Sequence, residues 1–419
     1  MKDYKKQLIF QYLFLGLILI FVFQNPLQRV ISPLKYLDEM YALLSVPLCG
    51  YVIIRNNYRL FIPWKYVILI ILLGLFLLSG MSGWVNNRYQ SLTVTLSDAL
   101  LNIKFYLAIG TSVFLFRGVH MGEIYKKSWN LLRMITGGIT ALLMADLVLH
   151  FFEAEIRSGL RAEQLFYTTH TYLAAACSLL VIVFFRFYQF YREKTFPWIC
   201  MLWFDILCTL RIKAIGAVFV MFFIYMIICR KRRNISLLTW GIIGGSVLLM
   251  ATQQFNYYFH NVRDEAARSV LLRTSLKIAQ DFFPLGSGFG TFASAVSAEP
   301  YSKIYYMYHI QNVWGLSKDH SIFISDSFWP MILGQCGYLG LLIYLLILGI
   351  LIWLVLDTRR RNAWVYASGL TVLVYLGISS VGESAFVNTY AVGYAFILGI
   401  LLSEHSEEDF GREEKEDGT

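Results

Sequence analysis

The sequence predicts an all-α polytopic membrane protein with about twelve transmembrane helices, on three observations. Of its 419 residues, 57% are hydrophobic and only 15% are charged, whereas soluble domains carry about a quarter charged residues. Apolar runs of roughly 15 to 20 residues recur along the chain, each about long enough to cross a ~30 Å hydrocarbon core. The Lys and Arg residues between these runs fall in alternate connections, the pattern that sets topology in a bilayer.

In chain order the runs centre on residues 8–24, 39–54, 66–83, 99–117, 131–150, 169–188, 197–211, 214–229, 236–252, 337–356, 363–381 and 385–402. The first run shows no small-residue cleavage site before Phe23, Gln24 and Asn25, so it is expected to remain as a span. One set of connections receives Lys2, Lys5 and Lys6, then Arg55, Arg59 and Lys65, then Arg117, Lys126 and Lys127. Arg186, Arg192 and Lys194, Arg230 to Arg233, and Arg359 to Arg361 complete that set. The positive-inside rule makes this side cytoplasmic, with both termini on it.

The seventh and eighth runs share PWICMLWFDILCTLRIKAIGAVFVMFFIYMII. A single helix there would put Arg211 and Lys213 at the bilayer centre, at about 2.5 to 3.5 kcal/mol per charge. Two helices meeting at those residues avoid that placement. At 1.5 Å per residue each would be only roughly 23 Å long, so their turn is expected to sink into a recess holding both cations.

Residues 253–325 form a long polar insertion, expected to be an extracytoplasmic loop containing short amphipathic helices. In ARSVLLRTSLKIAQDFFP, Leu272, Leu276, Ala279 and Phe283 follow a helical stripe, with Arg273 and Lys277 one turn apart on its flank. Two close cations, one of them a bidentate fork, suit a diphosphate; a basic helix lying on lipid headgroups has the same pattern. GSGFG then supplies Gly286, Gly288 and Gly290, whose amides are candidates to line an anion, although a lone glycine-rich turn is more often structural. His320, between Asp319 and Ser321, is a candidate general base. Arg157, Arg161, Arg211, Lys213 and Arg268 are further cations on the same side.

The chain thus divides into nine spans over 1–252, the loop 253–325, an apolar segment with three spans over 326–402, and an acidic tail 403–419 expected to be unstructured. Cys49, Cys177, Cys200, Cys208, Cys229 and Cys336 lie in or beside apolar runs without CxxC or Cys/His spacing, so neither a disulfide nor a metal site is expected. The net charge of +9 is scattered in short clusters between spans, which indicates topology and not nucleic-acid binding.

An outer-loop Arg (Arg157 or Arg161), the turn TLRIKAIG, RTSLKIAQDFFPLGSGFGTF, DHS and GQCGYLGLLIYLLI, taken in that order, resemble the O-antigen ligase and polymerase superfamily, the WaaL ligases and Wzy polymerases. The resemblance implies a GT-C-like, metal-independent glycosyltransferase in the bacterial plasma (inner) membrane. Its donor would be an undecaprenyl-diphosphate-linked oligosaccharide and its acceptor a glycan, with no cofactor, and with a chain-length regulator and a flippase as partners. It further implies that Arg211 and Arg273 hold the diphosphate and that His320 acts as base, supported by Arg157, Arg161, Lys213, Arg268 and Lys277. Polymerase and ligase share this donor site. A flippase or transporter is the competing reading, and would use charges within helices such as Lys104, Asp146, Asp205 and Glu383.

Overall fold

The computed structural model describes residues 2–55, 63–157, 159–229, 267–359 and 362–416, most of them helical. The expected span at 236–252, Arg230 to Arg233 and the start of the insertion lie outside those residues. The longer helices are α1 (Lys2–Val30), α2 (Leu37–Leu43), α3 (Ser45–Arg55), α4 (Trp64–Asn87), α5 (Leu92–Phe116), α6 (Met121–Leu149), α7 (His170–Tyr191), α8 (Phe196–Cys208), α9 (Ile212–Ile224), α10 (Ala267–Asp281), α11 (Phe328–Thr358), α12 (Ala363–Ser380) and α13 (Tyr390–Glu416), and single helical turns lie at Ala295–Ala298 and Lys303–Met307 in the insertion. Between α6 and α7 lies an antiparallel hairpin of β1 (Glu155–Arg157) and β2 (Leu160–Ala162). Among the described residues seven stretches are long and apolar enough to cross a membrane, and shorter apolar helices occur at Ile212–Ile228 and Tyr390–Glu404. The protein is therefore a helical membrane protein.

Local chemistry explains where the elements depart from the hydropathy pattern. The run at 39–54 is broken between α2 and α3 at Leu44. In a continuous helix Pro47 would collide with the Leu43 carbonyl and give it no N–H, which favours the break. α5 begins at Leu92, ahead of its apolar run, because the Ser91 hydroxyl accepts a hydrogen bond from the Val94 amide and caps the helix. The acidic residues expected to be unstructured instead extend α13 to Glu416, in keeping with the helix propensity of Glu, Lys and Arg.

α7 is the central helix, with nearly every side chain from His170 to Tyr188 buried. α13 lies against α5, where a Cβ on Gly399 would stand 2.5 Å from the Ile109 carbonyl oxygen. α11 packs along α4, with Phe76 and Tyr344 ring centroids 5.3 Å apart. Side-chain contacts define the two ends of this bundle. At one end Gln7 donates to the His120 carbonyl, Tyr191 to the Lys126 carbonyl, and Arg186 to Glu404, while Lys65 pairs with Asp357. The connections carrying Lys65, Lys126, Arg186 and Arg359 therefore gather there. The opposite end holds the hairpin, the α8–α9 turn, the insertion and the α12–α13 connection, tied by contacts such as Asn25 to Thr168, Gln90 to the Pro300 carbonyl and Ser384 to the Ser325 carbonyl.

Candidate functional site: a cation cluster at one end of the bundle

The α8–α9 turn sets the site. Each helix has 13 residues, about 20 Å at 1.5 Å per residue. Leu210 turns the chain with a left-handed φ of 49°, and Arg211 caps α9 in an extended conformation. The Cys208 carbonyl accepts a hydrogen bond from the Glu163 amide, fastening this turn to the hairpin.

From the turn, contacts run across several elements. Lys213 pairs with the Glu383 carboxylate, which also accepts from the Tyr390 hydroxyl at 2.7 Å. Ser384 donates to the Ser325 carbonyl at 2.7 Å, and Asp326 beside it receives Arg268 Nη2 at 2.6 Å. Arg157, Glu383, Arg268 and Glu155 lie near enough for their charges to act on Arg211, and Arg211 and Arg268 act likewise on Lys213. Arg157 itself grips Glu155 through Nε and Nη2, each 3.1 Å from Oε2. The structure thus brings Arg157, Arg211, Lys213 and Arg268 into one group with Glu155, Asp326 and Glu383. Arg211 Nε is buried and has no hydrogen-bond partner among the described residues. A buried donor left without an acceptor costs about 1–3 kcal/mol, so the site is disposed to receive an anion. Guanidinium forks and an ammonium in a partly dehydrated recess can hold phosphate oxygens.

The other predicted residues are placed differently. Arg161 is held between carboxylates, with Nε 2.8 Å from Glu163 Oε1 and Nη2 3.0 Å from Asp146 Oδ2, and it also donates to the Phe152 carbonyl. Burial, and then the hydrogen bond with Asp146, push the Glu163 carboxyl up to about 7. Arg161 therefore anchors the hairpin that carries Arg157. Arg273 and Lys277 are exposed on α10. Only part of the predicted stripe is buried: Ala279 is buried and Leu272 half-buried, whereas Leu276 and, beyond the end of α10, Phe283 are exposed, and the buried face is Leu271, Thr274, Ser275, Ile278 and Ala279. The face holding Thr274 and Ser275 is small enough for close packing against α11, which decides which side of α10 is buried.

The GSGFG amides already have protein acceptors. Ser287 N donates to the Gly334 carbonyl, Gly288 N to Gln335, Phe289 N to Gly80, and Gly290 N to Asp98 Oδ2 at 2.8 Å. Gly286 and Gly288 have φ of 74° and 103°. A Cβ on Gly286 would stand 2.4 Å from Gly337 N, and one on Gly83 would stand 2.4 Å from Gly288. This turn is a packing latch between α4 and α11, not an anion cradle. Gly337, with φ 65° and ψ −167°, interrupts α11 to admit it.

His320 stands in an exposed turn, and its side chain makes no hydrogen bond or ion pair among the described residues. A different histidine lies at the cluster. His170 opens α7, buried, with Nδ1 3.6 Å from Glu155 Oε2, Nε2 without a partner among the described residues, and the charges of Arg211, Arg157 and Lys213 acting on it. Its position at the head of an apolar helix gives no sequence signal beyond that of a core residue. Asp326 and Glu155 are equally silent, one in a connection and one opening β1 beside Glu153 and Arg157. Of the charges expected within helices, Lys104 meets Asp38 at 2.5 Å, Asp146 meets Arg161 and Asp205 accepts from Thr140 at 2.7 Å, whereas Glu383 lies in the connection between α12 and α13 and pairs with Lys213. No protein-family model matches this chain, and no curated protein matches it.

Proposed function

We propose that this protein is a membrane glycosyltransferase, a surface-polysaccharide polymerase that transfers glycan from a polyprenyl-diphosphate donor to a lipid-linked acceptor. The observation that carries the reading is the grouping of Arg157, Arg211, Lys213 and Arg268, with a buried, unpartnered Arg211 Nε, at the end of the bundle where the polar insertion packs. By the positive-inside rule the Lys- and Arg-rich end faces the cytoplasm with both termini, so the cluster faces outward from the plasma membrane. The reading takes the full chain to hold about twelve spans in the GT-C manner.

When the bond between the anomeric carbon and the phosphate oxygen breaks, negative charge grows on the departing diphosphate. Fixed cations placed for that charge stabilise the transition state more than the ground state. Arg211 suits this task because its fork stays charged and meets two oxygens at once. Lys213, balanced by Glu383, adds charge beside it. The proposed reaction needs no metal, since these groups supply the positive charge. His320 lies apart from the described contacts of the cluster, so the reading rests on the cations.

The test is incubation of the purified protein with lipid-linked repeat units. A ladder of lengthening glycans is expected. A single transfer to a different acceptor would replace polymerase with ligase, and absence of any transfer, with lipid-linked units moved across the bilayer, would replace transferase with flippase.

A further inference from the structure

A transferase of this kind needs a group to take the proton from the acceptor hydroxyl, and we propose that Asp326 is that group. The inference rests on the transferase reading and extends it to the acceptor side. Each titratable group at the cluster can be weighed by its contacts. Glu383 is mostly buried, paired with Lys213 and hydrogen-bonded by Tyr390. Glu155 receives three hydrogen bonds from Arg157, which engage both its oxygens, and it faces His170. The His170 ring is buried, its side chain only 4% exposed, which bars an incoming sugar from Nε2. Among the described residues His320 makes no side-chain hydrogen bond or ion pair that brings it to the cations.

Asp326 differs from all of these. One of its oxygens, Oδ2, receives Arg268 at 2.6 Å, no hydrogen bond to Oδ1 is seen among the described residues, and its side chain is 33% exposed. The backbone beside it is fixed: Ser325 O accepts from Ser384, the neighbour of Glu383, which holds Lys213. The carboxylate is therefore both anchored to the cation group and open to a substrate.

In the proposed step the acceptor O–H proton passes to the free Asp326 oxygen while the acceptor oxygen bonds to the anomeric carbon. The carbon–oxygen bond to the diphosphate breaks, and its electron pair leaves on the diphosphate toward Arg211 and Lys213. Asp326 then returns the proton to water. Arg268 holds the carboxylate in line and orders donor and acceptor sides around one ion pair.

The experiment measures glycan transfer by the purified full-length protein with lipid-linked repeat units. Asp326→Asn is expected to lower kcat by about 10²–10⁴-fold, the usual worth of a general base, with the donor KM little changed. Asp326→Glu should restore much of the rate, and added formate should partly restore Asp326→Ala, which a merely structural ion pair would not show. Transfer by Asp326→Asn within about tenfold of wild type, well short of a general base's worth, would overturn the assignment. So would a His320→Ala loss as large as that of Asp326→Asn, or failure of both formate and Asp326→Glu to restore activity. If the wild type transfers nothing, or Arg211→Ala transfers normally, the transferase reading falls and this inference with it. Normal loss in Arg211→Ala with an active Asp326→Asn overturns the base alone.

Discussion

Arg211 Nε is covered by protein, has no acceptor among the described residues, and lies within reach of the charges of Arg157, Glu383, Arg268 and Glu155. Such a donor is held ready for an anion, and geometry as well as charge should matter. Arg211→Lys keeps the charge but removes the fork, so kcat should fall by about 10²–10³, as when one preorganised donor is lost. Equal activity of the two proteins at the same melting temperature would count against a bidentate role. A second residue-scale expectation concerns packing. At Gly337 a Cβ would stand 2.3 Å from the Pro284 carbonyl at a φ of 65°. Gly337→Ala should therefore cost roughly 1–3 kcal/mol or more of stability, read as a lower melting temperature; an unchanged melting temperature would show that the latch yields easily.

At the scale of elements, the hairpin carrying Arg157 is pinned through Arg161 to buried Asp146 and Glu163. The folded Glu163 carboxyl is raised to about 7 from 4.5, so the folded state holds its proton more tightly than the unfolded chain. Its stabilising contribution is fully present below the unfolded value and is lost as pH rises through about 7. Hydrogen exchange in residues 155–163, corrected for intrinsic rates, should reveal looser hairpin amides at pH 8 than at pH 5.5. Protection that rises with pH would contradict a raised Glu163 carboxyl. How far each element is legible in the sequence depends on whether a single strong term decides it. The α8–α9 turn is legible because the cost of a charge at the bilayer centre leaves few alternatives for Arg211 and Lys213. The buried face of α10 is not, because Leu272, Leu276, Ala279 and Phe283 and the face Leu271, Thr274, Ser275 and Ile278 both keep helical spacing, and packing against α11 decides between them.

At the scale of the whole molecule, the Lys and Arg pattern and the contacts at the two ends agree on which connections lie together, because short loops in a bundle must meet their neighbours. The site is only half legible. Arg157, Arg211, Lys213 and Arg268 stand out as cations on the side whose short connections hold few Lys and Arg. His170 and Asp326 do not, since their significance comes from residues distant in sequence, Glu155 and Arg268. The orientation proposed here predicts that a cysteine placed in the 313–320 turn reacts with an impermeant thiol reagent in intact cells, whereas one placed beside Glu123 does not. The opposite pattern would invert the topology. The central claim, that the cation cluster holds a donor diphosphate during glycan transfer, is tested most directly by comparing purified wild type and Arg211→Ala on lipid-linked repeat units. The wild type is expected to give a glycan ladder and Arg211→Ala none at equal folded concentration; equal ladders from both proteins would contradict a diphosphate-holding role for the cluster.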